Sequence, residues 1–258
     1  MYFLKKNIIS LYTMFYKETN RVLRIWPQTL FPAVVTTSLY FIIFGSLIGN
    51  RIGFMSGYTY IQYIVPGLIM LSLVTTAYSN VVSSFFGSKF QKNIEELLIS
   101  TTYNHIIIIG FISGGVVRGI MVSFLVVIVS SYFCDYYFYN FSVFLLVLFM
   151  SSVLFSLFGL LNGIFANRFD DITMIPTFIL TPLIYLGGVF YSIDLLPNFW
   201  VKLIYLNPIF YIINIFRYAV LGICDVNIFY SFLFMFFFII ILYLITLHLL
   251  NIGYNMKK

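Results

Sequence analysis

Residues 182–217 read PLIYLGGVFYSIDLLPNFWVKLIYLNPIFYIINIFR. The stretch begins as membrane-spanning helix and then stops behaving like one. Asp194, Pro197, Asn207 and Pro208 cut it into apolar pieces. Each is too short to cross about 30 Å of hydrocarbon, which takes about 20 helical residues. The pieces are also too apolar for a solvent loop. Short, aromatic-rich helices at the bilayer face, or dipping into it beside other helices, satisfy both constraints.

Outward from this stretch, the chain is 62% hydrophobic, 21% aromatic and 9% charged. A soluble domain carries about 25% charged residues, so this is an integral membrane protein. No long polar stretch interrupts residues 1–258, which read as a single transmembrane domain. The net charge is +6, but the charges flank apolar segments and form no basic surface, which removes nucleic acid as a partner. Lys5 and Lys6 are followed by Lys17, Glu18, Arg21 and Arg24, which leaves no uninterrupted apolar core for a cleavable signal. Cys134 and Cys224 lack metal-site spacing. Both fall on one expected side of the membrane, so two unrelated thiols and a disulfide are both open, the first favoured.

The expected fold class is all-α, a polytopic protein of six transmembrane helices. Residues 2–25 predict an amphipathic helix on the membrane, with Ile8, Leu11, Tyr12, Phe15, Thr19 and Val22 at helical spacing and Lys6, Lys17, Arg21 and Arg24 for head groups. Pro27 and Pro32 mark the turn into a first span over 30–48, and 51–57 is a short loop. The second span covers 61–82. A polar-leaning segment, 83–105, contains a short helix at 91–100, QKNIEELLIS. The third run, 106–133, is 28 residues long, roughly 42 Å at 1.5 Å per residue, and must tilt or project. Spans four and five cover 141–166 and 172–191, joined by 167–171. After the broken stretch, 228–250 is the sixth.

Six spans put both termini on one side. With the N-terminus in the cytoplasm, the inner segments hold ten basic residues: Lys5, Lys6, Lys17, Arg21, Arg24, Lys89, Lys92, Arg168, Lys257 and Lys258. The outer segments hold three, Arg51, Lys202 and Arg217. That bias orients the chain with both termini cytoplasmic.

Few residues in the spans carry chemistry. The helix around Lys92, Glu95, Glu96, Leu97 and Leu98 is the substantial inner loop. It reads either as a surface for a soluble partner or as a solvated linker helix with ordinary charge pairs. The third span places Gly110 and Gly114, and Gly115 and Gly119, four residues apart, which permits close backbone approach. Arg118 follows Gly114 by four. An intramembrane arginine either lines a pathway or snorkels to the interface, with Asp170 or Asp171 as candidate partner. Ser152, Ser156, Gly159 and Gly163 repeat the small-residue pattern in span four. His105 and His248 lack neighbouring ligands for a metal. No Gly-rich loop ending in Gly-Lys-Ser or Gly-Lys-Thr occurs, nor Gly-x-Ser-x-Gly, nor His-Glu-x-x-His. The chain itself therefore binds no cofactor in these ways, and any ATP hydrolysis belongs to another chain.

The order Pro182, Gly187-Gly188, Phe190, Leu196-Pro197, Trp200, Asn207-Pro208 and Arg217 resembles the ABC-2 family of transporter permeases. The run Ile94-Glu95-Glu96-Leu97-Leu98-Ile99-Ser100-Thr101 is similar to that family's coupling helix, with Thr101 at the usual proline. Asn214 stands three before Arg217, where many members carry an acid, so a local ion pair at Arg217 is not expected. The resemblance implies a permease subunit of an ATP-driven ABC transporter, an exporter of the bacterial cytoplasmic (inner) membrane. It also implies a second copy of the same chain as partner and a cytosolic ABC ATPase subunit that carries ATP and Mg. The alternatives are an ATP-independent channel or secondary carrier, a lipid-acting membrane enzyme and a scaffold. Intramembrane acids for the first and a His/Asp/Glu cluster for the second are not found in the sequence.

Overall fold

The computed structural model describes residues 2–100, 102–193 and 196–255, without the side chains of residues 2–4, 46 and 50. Thr101, Asp194, Lys257 and Lys258, used in the reading above, lie outside the described residues. Helix α1 (Tyr2–Arg24) leads into α2 (Trp26–Tyr40), with Pro27 in its first turn. A π-helical stretch, Phe41–Ile48, and a short turn, α3 (Gly49–Ile52), extend it. The expected loop at 51–57 is mostly a tiny hairpin, β1 (Phe54–Met55) against β2 (Tyr58–Thr59). Its two-residue turn needs positive φ twice, and Ser56 (φ 50°) and Gly57 (φ 86°) supply it.

Helix α4 (Tyr60–Phe90) starts at a Thr59–Gln62 capping box and runs for 31 residues, about 46 Å. It passes the expected end at Val82. The serines that look like a polar linker are absorbed by the helix: Ser83 and Ser88 donate to the carbonyls of Asn80 and Ser84. Between them Phe85 and Phe86 are buried. Helices α5 (Asn93–Ile99), α6 (Asn104–Ser131) and α7 (Phe141–Phe165) follow. The fifth span is composite: α8 (Phe169–Ile175), a π-helical stretch (Pro176–Leu180) and α9 (Thr181–Leu186). Pro176 and Pro182 withdraw two ladder donors. The register slips there, and the Thr181 N–H and hydroxyl both reach the Pro176 carbonyl. The span ends at Leu186, short of the expected 191, because Gly188 (φ 85°) turns the chain. Helices α10 (Asn198–Tyr205), α11 (Pro208–Leu221) and α12 (Ile228–Ile252) complete the fold.

Six helical segments among the described residues are long and apolar enough to cross a membrane. The most apolar window of α4 is 83% buried, against 11% for the fifth span and for α12. Helix α4 is thus the axis of the bundle and the others wrap it. Small residues set the approach. A Cβ on Gly159 would stand 2.6 Å from the Tyr78 carbonyl oxygen, and one on Gly67 would stand 2.8 Å from that of Val189. Gly115 faces Ala77, Val81 and Ser156. Buried polar groups meet partners, as hydrocarbon demands: Asn162 Nδ2 donates to Tyr78 Oη at 2.6 Å.

Helix α1 docks on the bundle by a face that the sequence reading did not single out. Ile8, Tyr12 and Phe15 are exposed, whereas Met14, Glu18 and Val22 are buried at i, i+4, i+8. Gly110 and Gly114 of α6 receive Met14 and Glu18. Glu18 pairs with Arg21 at 3.0 Å and accepts from Ser84 Oγ at 2.8 Å. Arg21 in turn donates to Asn80 Oδ1 at 2.5 Å. An apolar stripe on an amphipathic helix does not say whether it faces lipid or protein. Here polar complementarity took the protein side. Glu18→Ala is expected to weaken this dock by about 1–3 kcal/mol, since it leaves buried groups unpaired. Hydrogen exchange in residues 14–24 should rise, and an unchanged rate would show that apolar contact alone holds α1.

Candidate functional site

Helix α5 exists because α4 is stopped abruptly. Lys92 adopts a left-handed conformation (φ 62°), and its carbonyl accepts from the Glu95 N–H at 3.1 Å. Glu95 and Glu96 in the first turn complement the helix dipole. Ile94 is fully buried, and Leu97 and Leu98 pack half-buried on a cluster that includes Phe85, Ile107, Phe111 and Leu250. The opposite side carries exposed Glu96 and Ile99, the latter 85% exposed. Glu95 borders two hollows beside the helix. One, of about 160 Å³, is shared with Lys89, Lys92, Asn167 and Asn255. The other, of about 420 Å³, is shared with Leu98, Ile99, Asn104 and Asn251. Lys89 ties the neighbouring end of α7 down, donating to the carbonyls of Ile164 and Ala166 at 2.7 Å each. The result is a short lever seated by three apolar side chains, with a charged, concave-flanked face outward.

At the far end of α4, residues 182–193 and 196–217 pack together as a cap. Helices α10 and α11 meet at 89°. Only α10 lies at the surface, with Phe199 and Trp200 exposed. Helix α11 is buried against the bundle along most of its length, so the pair forms one bent, broken segment, with α10 at the face and α11 packed beside other helices, the two dispositions expected for these short helices. Its termini are closed by protein groups. Asn207 Oδ1 accepts from the Ile209 N–H, with Pro208 following it. The carbonyls of Ala219, Val220 and Leu221 accept from Asn140 N–H, Tyr139 N–H and Tyr58 Oη. Pro197 begins α10, and Pro182 is exposed on α9. Gly187 packs against Ile209 and Ile213 of α11.

Arg217 is 2% exposed and does have an acid partner: Asp225, at 2.7 Å. It also donates to the Gly188 carbonyl at 2.7 Å and lies 4.3 Å from the centre of the Tyr63 ring. The expectation from Asn214 was wrong because the acid comes from the following loop, not the preceding turn. Asn214 makes this possible. Its Oδ1 accepts from the Asp225 N–H and its Nδ2 donates to Val226, both at 2.7 Å, holding the loop in place. Asp225, eight residues beyond Arg217, left no periodic signal in the sequence.

Arg118 does not meet Asp170 or Asp171. Asp171 instead accepts from the backbone N–H groups of Asn167 and Arg168. The ion pairs among the described residues are Glu18–Arg21 and Arg217–Asp225. Arg118 opens on a groove of about 210 Å³ between α2, α4 and α6, beside Gln28, Thr29, Thr36, Ser72, Thr75 and Thr76. The two cysteines are separate thiols: Cys224 is exposed, and Cys134 Sγ lies 3.8 Å from the Ser130 carbonyl. Burial, with Asp135 beside it, pushes the Cys134 thiol up to about 11, so it stays protonated. His105 meets the Tyr243 hydroxyl at 2.5 Å. No group of three His, Cys, Asp or Glu that could hold a metal occurs among the described residues.

A bundle of six candidate spans with a bent, largely buried helix pair at one end and a seated, charged helix at the other defines a polytopic membrane domain. The chain belongs to the ABC-2 type transporter family, whose members' shared sequence pattern matches residues 9–221. It is 53% identical over 250 residues to the "Inner membrane transport permease YadH" of Escherichia coli (strain K12), covering 97% of this chain and 98% of that one. The protein of that name from Shigella flexneri matches to the same extent.

Proposed function

We propose that this chain is the membrane-spanning half of an ATP-driven exporter in the bacterial inner membrane, working as two copies with two cytosolic ATPase subunits. The observation that carries the reading is the seating of α5. With Ile94 buried and Leu97 and Leu98 on the core, a push on exposed Glu96 and Ile99 moves α4 and α6 rather than the helix alone. Coupling of this kind needs a rigid lever and elements with two packings. We assign that part to the π-helical stretches in the first and fifth spans, which touch through Tyr40 and Tyr185, whose hydroxyls lie 3.2 Å apart. The relatives' name, inner membrane transport permease, supports the location. The excess of basic residues on the α5 side supports a cytoplasmic position for α5 and both termini.

The test is a mild-detergent pull-down of the tagged chain with ATPase activity assayed in the eluate. A soluble ATP-binding chain should be recovered in equal amount, and Glu95→Lys with Glu96→Lys should abolish its recovery or the ATPase stimulation. A clean eluate from correctly inserted protein would favour an ATP-independent carrier.

A further inference from the structure

We propose that the groove at Arg118 binds an anionic head group, a phosphate or carboxylate on an apolar tail, and that the exported cargo is an anionic amphiphile. The cargo part rests on the transport reading above; the anion site does not.

Arg118 sits halfway along α6, a helix with 13 residues beyond it and 14 before it. Among the described residues it makes no hydrogen bond or ion pair, and its Nε is buried without a partner. A guanidinium held inside a span is unfavourable unless a counter-charge or water meets it, and no described residue supplies a counter-charge. The surroundings deepen the deficit. Arg21 lies on α1, which packs along α6. Arg21 also lines an open cleft of about 680 Å³ with Lys17, Asn20, Leu23 and Arg24. No acidic residue borders either the cleft or the groove. The adjacent carboxylate, Glu18, is already held by Arg21 and Ser84. A basic cleft and an unmet cation thus occur as separate features of one bundle.

The rest of the groove suits an oxyanion. The hydroxyls of Thr36, Thr75 and Thr76 donate to the carbonyls of Pro32, Leu71 and Ser72 at 2.7, 2.9 and 2.6 Å. Each can rotate its proton to a charged oxygen, a stronger acceptor than a carbonyl. Arginine offers the paired donors that phosphate and carboxylate accept. Depth agrees with an amphiphile. Thr29 and Thr36 lie three and ten residues into the span that starts at Trp26, about 5–15 Å along it, within one leaflet. A second groove on α6, of about 350 Å³ and wholly apolar in its exposed lining, includes Val116, Val117 and Phe15 and offers a place for a tail.

The experiment uses the full chain in phosphatidylcholine nanodiscs with a trace of fluorescent phosphatidylglycerol, a matched fluorescent phosphatidylcholine as control, and two salt concentrations. The expected result is saturable, salt-weakened binding of the phosphatidylglycerol probe only. Arg118→Gln should weaken it about tenfold or more, the worth of a charge-assisted hydrogen bond, and Arg118→Lys should retain part. Equal binding by Arg118→Gln, or equal binding of the phosphatidylcholine probe, overturns the site. Should Arg118→Gln fail to give monodisperse protein, Thr75→Val with Thr76→Val replaces it, judged by the same loss. Added inorganic phosphate separates the sources: displacement at millimolar concentration means a site for free phosphate and overturns the amphiphile, and no displacement supports it. In proteoliposomes with the ATPase partner, MgATP-driven movement of the probe between leaflets that needs Arg118 identifies cargo. Binding without such movement means a resident lipid and overturns the cargo statement. Failure to find any ATPase partner would sink the transport reading while leaving the binding result intact.

Discussion

Asp225→Ala is expected to destabilise the protein by about 3–5 kcal/mol, because it leaves a buried arginine without its counter-charge. Arg217 is 2% exposed, while the Asp225 side chain is 20% exposed. The asymmetry has a consequence. Arg217→Met leaves an aspartate that water can reach, so it should cost less than Asp225→Ala, and the double variant should recover part of the loss. Thermal unfolding followed by size-exclusion chromatography in detergent reads all three. Equal losses for the two single variants would mean that the Gly188 carbonyl and the Tyr63 ring, not Asp225, hold the guanidinium. This pair joins α11, the turn after α9 and the loop before α12.

Gly159→Leu is expected to abolish recovery of monodisperse protein. A Cβ there meets the carbonyl oxygen of Tyr78 at 2.6 Å and its carbonyl carbon and Cα at 3.3 Å. These are backbone atoms of the central helix, so no rotamer relieves the clash, and even Gly159→Ala should cost about 1–3 kcal/mol. Gly115→Ala differs in kind. It meets the Ser156 hydroxyl and the Val81 methyl first, both of which can shift. Ser156→Ala should therefore rescue it in part, as it cannot rescue Gly159. Gly87→Ala is the control: nothing lies within 4 Å, and replacing glycine inside a helix by alanine is neutral or stabilising by about 1 kcal/mol. If Gly159→Leu yields well-folded protein, α4 and α7 are not in the close contact described.

Much of this architecture could be read before any coordinates, and the residues show why. Hydrocarbon permits only helices that satisfy their own backbones, so long apolar runs announced the spans, and the prolines and asparagines of 182–217 announced the break. The short helix at Lys92–Leu98 was legible from its charges beside leucines. The faces that helices turn to one another were not. In α1 the apolar stripe at Ile8, Tyr12 and Phe15 was legible as a membrane-facing surface, but that Glu18 is buried against the bundle was not, since its value depends on Ser84, 66 positions away. The partner of Arg217 escaped notice because it lies in a loop, where no period operates. The end of α4 was missed because serines that bond to their own helix look, in sequence, like a linker.

The sequence by itself determined that this chain crosses a membrane, roughly where, with a broken segment before its last span, and to which family it belongs. The spans and the break are properties of composition, length and local backbone chemistry, to which each residue contributes independently; the family follows from the resemblance carried by the ordered motifs at 94–101 and 182–217. Only the tertiary structure decided that α4 is the axis, that α11 packs into the bundle, that Arg217 finds Asp225 and that Arg118 finds no acid. Each of these is a matching of groups distant in the chain. In a low-dielectric interior it is the matching of polar groups, more than the apolar pattern common to every span, that selects one arrangement from many.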